Sequence, residues 1–207
     1  MKTARMEYTP VTVDVLSSFE GWNESFQAAA VRSISIFLLY SMPDTDYHTL
    51  ADMEKLERIY FNLLSNAFKF TPENGKIAVR LSSLSKEDKR WIRFTVANTG
   101  SMISAEHIRN VFDRFYKIDM HHTGSGIGLA LVKAFVEMHG GMISVESDEK
   151  QGTVFTVELP VQSCEAVAAE PDTTLVSADS RTTDVLLAEE EELEKAFETE
   201  EQEEEKE

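Results

Sequence analysis

Residues 52–70 constrain the fold of this chain more than any other segment, because they keep an unbroken helical period. At 100° per residue the apolar side chains fall on one stripe, made of Leu56, Ile59, Tyr60, Leu63 and Ala67. Asp52 is a typical N-cap residue, and the helix has to stop before Pro72. A helix with a single apolar stripe must bury it against another layer, and we expect that layer to be a sheet.

The flanking segments alternate between helical and strand patterns. Further helices are predicted at residues 11–31, 104–112 and 126–139, and strands at residues 33–40, 49–51, 76–84, 91–97, 142–147 and 153–159. We therefore expect an α+β fold, a two-layer α/β sandwich. Three main helices would cover one face of a mixed sheet of about five strands.

Charge divides the 207 residues into two parts. Residues 1–160 hold 20 acids and 17 bases, a net charge of −3, whereas residues 161–207 hold 17 acids and 3 bases, a net charge of −14. We expect residues 1–160 to form one domain and residues 161–207 to form an acidic linker and tail. A helix is predicted at residues 183–199, and a tail without fixed structure is the alternative.

The same composition limits the partners and the compartment. A strongly acidic chain is repelled by nucleic acid and by anionic membranes, so we expect neither as a partner. No apolar run approaches the roughly 18–20 residues that cross a bilayer, and residues 1–10 do not resemble a signal peptide. The single cysteine, Cys164, fits a reducing compartment such as the cytoplasm.

Polar residues recur at a regular spacing along the helix predicted at residues 52–70. Asn62, Asn66 and Lys69 lie at i, i+4 and i+7, within about 60° of arc beside the apolar stripe. Asparagine is unfavourable in the middle of a helix, so two on one face suggest a use for their amide oxygens. Mg²⁺ takes oxygen ligands, and Lys69 would meet a phosphate chain. A solvated polar face is the alternative that this spacing leaves open.

A glycine-rich loop lies at residues 122–130, where Gly124, Gly126 and Gly128 run directly into an apolar helix. Glycines let backbone amides turn towards an anion, and the helix N-terminus adds its positive end. The spacing matches neither the dinucleotide fingerprint nor a P-loop. The loop therefore predicts a phosphate cradle, with a flexible hinge as the alternative.

Taken together, these segments resemble the catalytic domain of sensor histidine kinases. That domain belongs to the gyrase, heat-shock chaperone, histidine kinase and mismatch-repair ATPase superfamily, which has the Bergerat-type ATP-binding fold. The resemblance covers about residues 8–160. Five motifs carry it: an N box at residues 56–72, a first glycine box at 96–100, an F box at 111–116, a second glycine box at 124–130, and Gly152-Thr153. Their number and order make the resemblance specific.

The resemblance implies ATP and Mg²⁺ as cofactors and gives each residue a role. Asn62 and Asn66 would hold the metal, and Lys69 and Arg114 would join Asn62 as catalytic residues. Arg114 and residues 117–123 would form part of a lid. The implied nucleotide contacts are Asn62, Asn66, Lys69, Phe70, Asn98, Gly100, Gly124, Ser125, Gly126, Gly128, Leu129 and Thr153.

The first glycine box departs from the family pattern Asp-x-Gly-x-Gly. Asn98 replaces the aspartate that would accept from the adenine amine, and Met102 replaces the second glycine. An amide oxygen still accepts a hydrogen bond but is weaker than a carboxylate, by about 1 kcal/mol. We expect ATP binding that is retained but weakened.

Two other functions are compared with the kinase. In ATPases of the gyrase or chaperone type, a glutamate base stands four residues before the metal asparagine. That position is Asn62 here, which cannot act as a base. A degenerate nucleotide-binding module without turnover remains the alternative.

The resemblance implies that the γ-phosphate goes to a histidine on a separate dimerisation domain. None of the five histidines has the expected His-Glu-x-x-Thr-Pro context, so the chain should not autophosphorylate. His139, at a predicted helix end, is expected to be a cationic cap. A response-regulator receiver domain is the second implied partner. We expect a fragment of a longer cytoplasmic or membrane-anchored kinase, with the acidic tail as a connector to a receiver domain.

Overall fold

A computed structural model describes residues 8–33, 36–100, 102–118 and 126–162. Its elements in chain order are β1 (Val11–Asp14), α1 (Val15–Ser33), β2 (Ile36–Ser41), β3 (His48–Ala51), α2 (Met53–Phe70), β4 (Lys76–Lys86), β5 (Lys89–Asn98), α3 (Ala105–Ile108), α4 (Gly128–Met138), β6 (Met142–Asp148) and β7 (Gly152–Pro160).

Five of the strands form one mixed sheet in the order β2-β4-β5-β7-β6. Strand β2 runs parallel to β4, and the other neighbours are antiparallel. Strands β1 and β3 form a separate two-stranded ribbon. The predicted α+β sandwich with a mixed five-stranded sheet is confirmed.

The core lies between the sheet and the helices α1, α2 and α4. All five residues of the predicted α2 stripe are buried. They pack in one cluster with sheet residues such as Phe94 and with α4 residues such as Phe135. Each large apolar side chain buried in this way contributes roughly 1.5–3 kcal/mol. The stripe therefore fixes how α2 is rotated, and with it the direction of the polar residues beside the stripe.

The predicted N-cap of α2 is also confirmed. The carboxylate of Asp52 accepts a hydrogen bond from the backbone N–H of Lys55 at 3.2 Å. The same carboxylate forms an ion pair with the Lys55 ammonium at 2.8 Å. It also accepts from the backbone N–H of Thr9 at 2.9 Å. These bonds hold the pKa of Asp52 below its ordinary value despite burial, which acts in the opposite direction.

The start of the first predicted helix was wrong. Residues 11–14 form β1, which pairs with β3 from Val11 opposite Ala51 to Asp14 opposite His48. Helix α1 begins only at Val15, because the Asp14 carboxylate caps it by accepting from the backbone N–H of Leu16 at 3.1 Å. The partner of β1 lies more than thirty residues away, so local periodicity could not identify the strand.

Three other boundaries differ from the prediction. Ser33 belongs to α1, and β2 starts at Ile36. The helix predicted at residues 104–112 is only the single turn of α3, followed by turns. Helix α4 begins at Gly128 because Gly126 has a φ of +75°, which a right-handed helix does not accept.

His139 joins the end of α4 to the start of α2 and is not the cationic cap that we expected. Its Nε2 accepts from the backbone N–H of Asp52 at 3.1 Å, and its Nδ1 lies 2.7 Å from the carbonyl oxygen of Phe135. An accepting Nε2 carries no proton, so the ring is neutral with its proton on Nδ1. Burial lowers the pKa of His139 in agreement with this geometry.

The helix predicted at residues 183–199 and Cys164 lie outside the described residues. Within the described part of the chain, no helix is long and apolar enough to span a bilayer.

Candidate functional site

The polar face of α2 presents the three predicted residues as the helical spacing requires. Asn62 and Asn66 are half-buried, and Lys69 is exposed in the last turn. The side-chain N–H of Asn62 donates to the carbonyl oxygen of Arg58 at 3.0 Å. That bond uses the amide nitrogen and directs the oxygen Oδ1 away from the helix backbone.

The Asn62 oxygen lies against the first residue of α4. A Cβ added to Gly128 would overlap Asn62 Oδ1, so only glycine fits at this position without displacing the asparagine. This contact joins the second glycine box to the polar face of α2. The proposal of a phosphate cradle beside two asparagines requires such proximity.

The segment before α4 is held by the F box. The backbone N–H of Phe115 donates to the carbonyl oxygen of Gly126 at 3.0 Å. A Cβ on Gly126 would lie 2.9 Å from the carbonyl carbon of Phe115. The N-cap of α4 is Ile127, which has no polar side chain to cap the helix. The N-cap side chain therefore accepts from none of the first N–H groups of α4, and a helix N-terminus of this kind can bind an anion.

Lys69 lies in the last turn of α2. Partial desolvation lowers the pKa of Lys69, and the charge of Lys117 lowers it further. Lys69 Nζ also lies 5.3 Å from the ring centroid of Phe70, which is 38% exposed. An anion bound beside Lys69 would offset both effects on its ammonium group.

A second part of the predicted site lies in the sheet. Asn98 is the last residue of β5 and faces Thr153 of β7 directly, and both are buried. Gly152 has a φ of +80°, and a Cβ there would overlap the backbone oxygen of Asn98 and lie 2.9 Å from Cα of Thr99. Asn98, which the resemblance predicts to read adenine, is thus adjacent to Thr153 on the inner face of the sheet.

Ser147 is a residue of this end that the motifs missed. Its hydroxyl lies 2.8 Å from the Thr153 hydroxyl and accepts from the backbone N–H of Ile103 at 2.8 Å. Strand β6 places it directly opposite Thr153. The predicted β6–β7 hairpin contained this pairing, and the register of the hairpin was the signal that could have identified Ser147.

Three further predicted residues lie at the margin of this arrangement. Gly100, with a φ of +96°, packs against Pro72 and links the end of β5 to the end of α2. Leu129 packs against the core, so only its backbone faces the loop. Arg114 is exposed, with its guanidinium 5.4 Å from the Phe115 ring centroid. Gly124, Ser125 and most of the predicted lid lie outside the described residues.

A metal at this site would have amide and phosphate oxygens as ligands. Among the described residues, no group of three or more His, Cys, Asp or Glu side chains could hold a metal ion. The outward Oδ1 of Asn62 is a hard oxygen donor, which suits Mg²⁺ that keeps several waters. The residues present therefore fit a magnesium ion that arrives with a polyphosphate.

A helical layer on a mixed sheet, with buried polar residues on the sheet and a glycine box against the polar face of a helix, defines a class of nucleotide-binding α/β sandwich. Within that class, the family described as Histidine kinase-, DNA gyrase B-, and HSP90-like ATPase matches residues 51–163. The match covers more than half of the chain, and the chain belongs to this family.

Named relatives point to one branch of the family. Histidine kinase P4 of Formosa agariphila is 38% identical over 117 residues, and sensor protein SrrB of Staphylococcus aureus is 38% identical over 113 residues. Each match covers 53% of this chain but only 8% and 19% of the respective relative. The chain therefore spans a small part of the length of these relatives.

Solved structures agree with the fold. The catalytic domain of histidine kinase ThkA superimposes with a TM-score of 0.65 at 25% identity, covering 76% of this chain and 97% of that domain. Full-length ShkA in complex with AMPPNP superimposes with a TM-score of 0.66 at 26% identity, covering 77% of this chain and 33% of ShkA. The fold of this chain is that of a histidine kinase catalytic domain.

Proposed function

We propose that this chain is the ATP-binding catalytic domain of a sensor histidine kinase, which transfers the γ-phosphate of Mg-ATP to a histidine on a separate dimerisation domain. The observation that carries the proposal is the fit of Gly128 against the Asn62 oxygen. This contact between the second glycine box and one of the two predicted metal residues supports a phosphate site beside the polar face of α2. The similarity to ShkA, which was solved with AMPPNP, supports a nucleotide as the ligand.

Catalysis in this domain would consist mainly of positioning and charge neutralisation, as is usual for phosphoryl transfer. Asn98 and Thr153 would hold the adenine at the sheet end. Asn62 and Asn66 would hold Mg²⁺, which neutralises charge on the phosphate oxygens when bound. Lys69, with Lys117 beside it, would receive the phosphate chain.

The remaining contacts would come from the loop and the lid. Backbone N–H groups at Gly126, Gly128 and Leu129 would surround the phosphates, as would Gly124 and Ser125. Arg114 precedes Phe115, which bonds to Gly126, so Arg114 lies in a segment joined to the second glycine box. We propose that it forms part of the lid over the phosphates.

The proposed partners follow from this role. A helical phosphoacceptor domain of the same kinase would supply the histidine, and a receiver domain of a response regulator would take the phosphate from it. We propose a cytoplasmic location for this domain, whether or not the whole kinase is anchored in a membrane. A module that binds nucleotide without turnover is the second candidate, and the replacement of the usual aspartate by Asn98 favours it.

Calorimetric titration with Mg-ATP, followed by a transfer assay, tests the proposal. The affinity for Mg-ATP should fall at least about tenfold in Asn62→Ala, because the loss of an interaction with a charged group costs roughly 1.5–3 kcal/mol. Ser65→Ala, at an exposed position of α2, is the matched control and should bind like the parent chain.

For transfer, the chain is mixed with the phosphoacceptor helices of a histidine kinase and radiolabelled ATP. Acid-labile label should appear on those helices and never on the chain alone. Binding without label on any phosphoacceptor domain would support the module without turnover. No saturable binding at millimolar Mg-ATP would contradict both candidates.

A further inference from the structure

The outer face of the sheet carries an exposed apolar strip at one edge. The core helices pack on the opposite face. On the edge strand β2, Leu38 is 39% exposed and Tyr40 is 47% exposed, and Met42 just beyond the strand is 47% exposed. Leu39, between the first two, packs against the core, so the strip belongs to the outer face. An exposed apolar edge strand is a surface that proteins usually cover.

Two bases border this strip on the neighbouring strand. Arg80 of β4 stands directly opposite Tyr40, with its guanidinium 5.3 Å from the ring centroid. Lys76 comes directly before the buried residue Ile77 in β4, so its side chain lies on the same face as Arg80, and it is exposed. Within the described residues, neither base has a carboxylate partner. We call Leu38, Tyr40, Met42, Lys76 and Arg80 the outer patch.

The sequence of the acidic tail has the complementary pattern. At 100° per residue, Leu186, Leu193 and Phe197 fall within about 40° of arc in the helix predicted at residues 183–199. Glu189 and Glu190 flank this apolar stripe on its two sides. A narrow apolar stripe between carboxylates matches an apolar strip between bases.

The chain can reach the outer patch. Strand β7 ends at Pro160, which is paired with Trp91 of β5, and β4 and β2 follow β5 in the sheet. The end of β7 lies level with Leu84 of β4, whereas Tyr40 lies level with Arg80, so about 14 Å across the sheet and about 13 Å along the strands separate the end of β7 from the outer patch. Residues 163–182 comprise 20 residues, and a chain of this length can span up to about 66 Å, which is more than this separation requires. Docking within one chain then profits from a local concentration in the millimolar range.

We propose that the outer patch is the docking surface for residues 183–199 of the same chain. The apolar stripe of the tail covers Leu38, Tyr40 and Met42, and its glutamates pair with Lys76 and Arg80. The contact shields the free edge of the sheet and leaves the nucleotide cleft open on the opposite face. The proposal does not depend on the kinase function.

Carbodiimide cross-linking of the full chain at low salt, analysed by mass spectrometry, tests the contact. Lys76 should form bonds to glutamates 189–194 at least about fivefold more often than Lys133, an equally exposed lysine on helix α4. The double variant Leu38→Ser/Tyr40→Ser should abolish this preference. Met142→Ser, which changes a 49% exposed residue on the opposite edge strand, should preserve it.

Variants in the tail guard against loss of the fold. Leu193→Ser/Phe197→Ser should remove the Lys76 preference, whereas Val185→Ser/Leu187→Ser, at positions about 100° from the stripe, should keep it. A mixture of ¹⁵N-labelled and unlabelled chains separates the alternatives. Mixed-isotope products would indicate that a second copy occupies the patch, and bonds chiefly to Lys69 or Lys117 would indicate docking at the cleft. Either result, or equal yields at Lys76 and Lys133, would overturn the proposal.

Discussion

The two ends of the proposed nucleotide site differ in what holds their residues in place. At the end where we propose that adenine binds, the adenine end, Asn98, Gly152 and Thr153 are fixed by strand register and buried in the sheet. At the end where we propose that the phosphates bind, the phosphate end, Asn62 and Lys69 extend from helix α2, and Lys69 is exposed. The sheet end is held by backbone hydrogen bonds before any ligand arrives, whereas the loop end depends on side chains that can move.

This difference predicts where substitutions affect stability and where they affect binding. Gly152 at the adenine end is confined by a second backbone, which cannot give way, so a side chain added there should destabilise the domain. Gly128 at the phosphate end is confined by the Asn62 side chain, which can be displaced, so a side chain added there should impair ligand binding and leave the fold intact. Three substitutions and one pH dependence test this comparison, in order of expected effect.

Gly152→Ala should have the largest effect. The new Cβ would overlap the backbone oxygen of Asn98, and the φ of +80° adds strain for any residue with a side chain. We expect a loss of about 3 kcal/mol or more in the free energy of unfolding, measured by urea denaturation. Gly21→Ala is the matched control, because nothing lies within 4 Å of its Cβ position. It should stabilise α1 by about 0.5–1 kcal/mol. A Gly152→Ala domain as stable as its parent would show that the sheet end is not rigid.

Gly128→Ala should instead weaken Mg-ATP binding. Its Cβ would meet the Asn62 side chain, which can rotate away, so the free energy of unfolding should change by less than about 1 kcal/mol. Displacement of a predicted metal ligand should lower ATP affinity about 30-fold, or roughly 2 kcal/mol. Calorimetry on the double variant with Asn62→Ala supplies the control. If Gly128 acts through Asn62, the double variant binds no worse than Asn62→Ala alone.

The sequence predicted most of the adenine end and about half of the phosphate end. Only the resemblance implied that Asn98 and Thr153 lie near each other, because the strand predicted at residues 91–97 stopped before Asn98, whereas the helical stripe determined the direction of Asn62 and Asn66. The contact between Gly128 and Asn62 joins segments that are more than sixty residues apart, so only the resemblance implied it. Strand β1 was missed for the same reason, since its three β-branched residues find their partner in β3.

The charge of His139 shows a second limit of sequence patterns. A histidine at a helix end is often a cationic cap, but the burial that makes this one neutral comes from Tyr8 and from the start of α2. The packing of a distant element onto α4 thus determined its protonation. The sequence of residues 126–141 alone does not predict the packing of Tyr8 and the start of α2 onto His139.

The pH dependence of stability tests the contact of His139 with Asp52, which joins the end of α4 to the start of α2. These two helices hold the residues of the phosphate end. Since burial lowers the pKa of folded His139, the unfolded chain binds the extra proton first as the pH falls. The stability from neutral His139 is complete above about pH 6.5 and is lost as the pH falls below it. Protonation also breaks the bond from the Asp52 N–H, worth about 1–2 kcal/mol. Urea denaturation at pH 7.5 and 5.5 should show this loss, and His139→Gln should reduce it. The Asp52 carboxylate, whose pKa is lowered, titrates in more acidic solution.

Asn98→Asp should have the smallest effect, with opposite signs in the two states of the domain. A carboxylate accepts from the adenine amine more strongly than an amide does, so ATP affinity should rise about fivefold, or roughly 1 kcal/mol. The same carboxylate is buried in the free domain beside Thr153, where desolvation should lower the free energy of unfolding by a similar amount. Calorimetry and urea denaturation measure the two changes separately, and Asn98→Ala, which removes the acceptor, should bind ATP more weakly than the parent chain. If the affinity of Asn98→Asp is unchanged while Asn98→Ala binds normally, Asn98 does not contact adenine. The adenine end would then be a rigid part of the sheet with no role in reading the base.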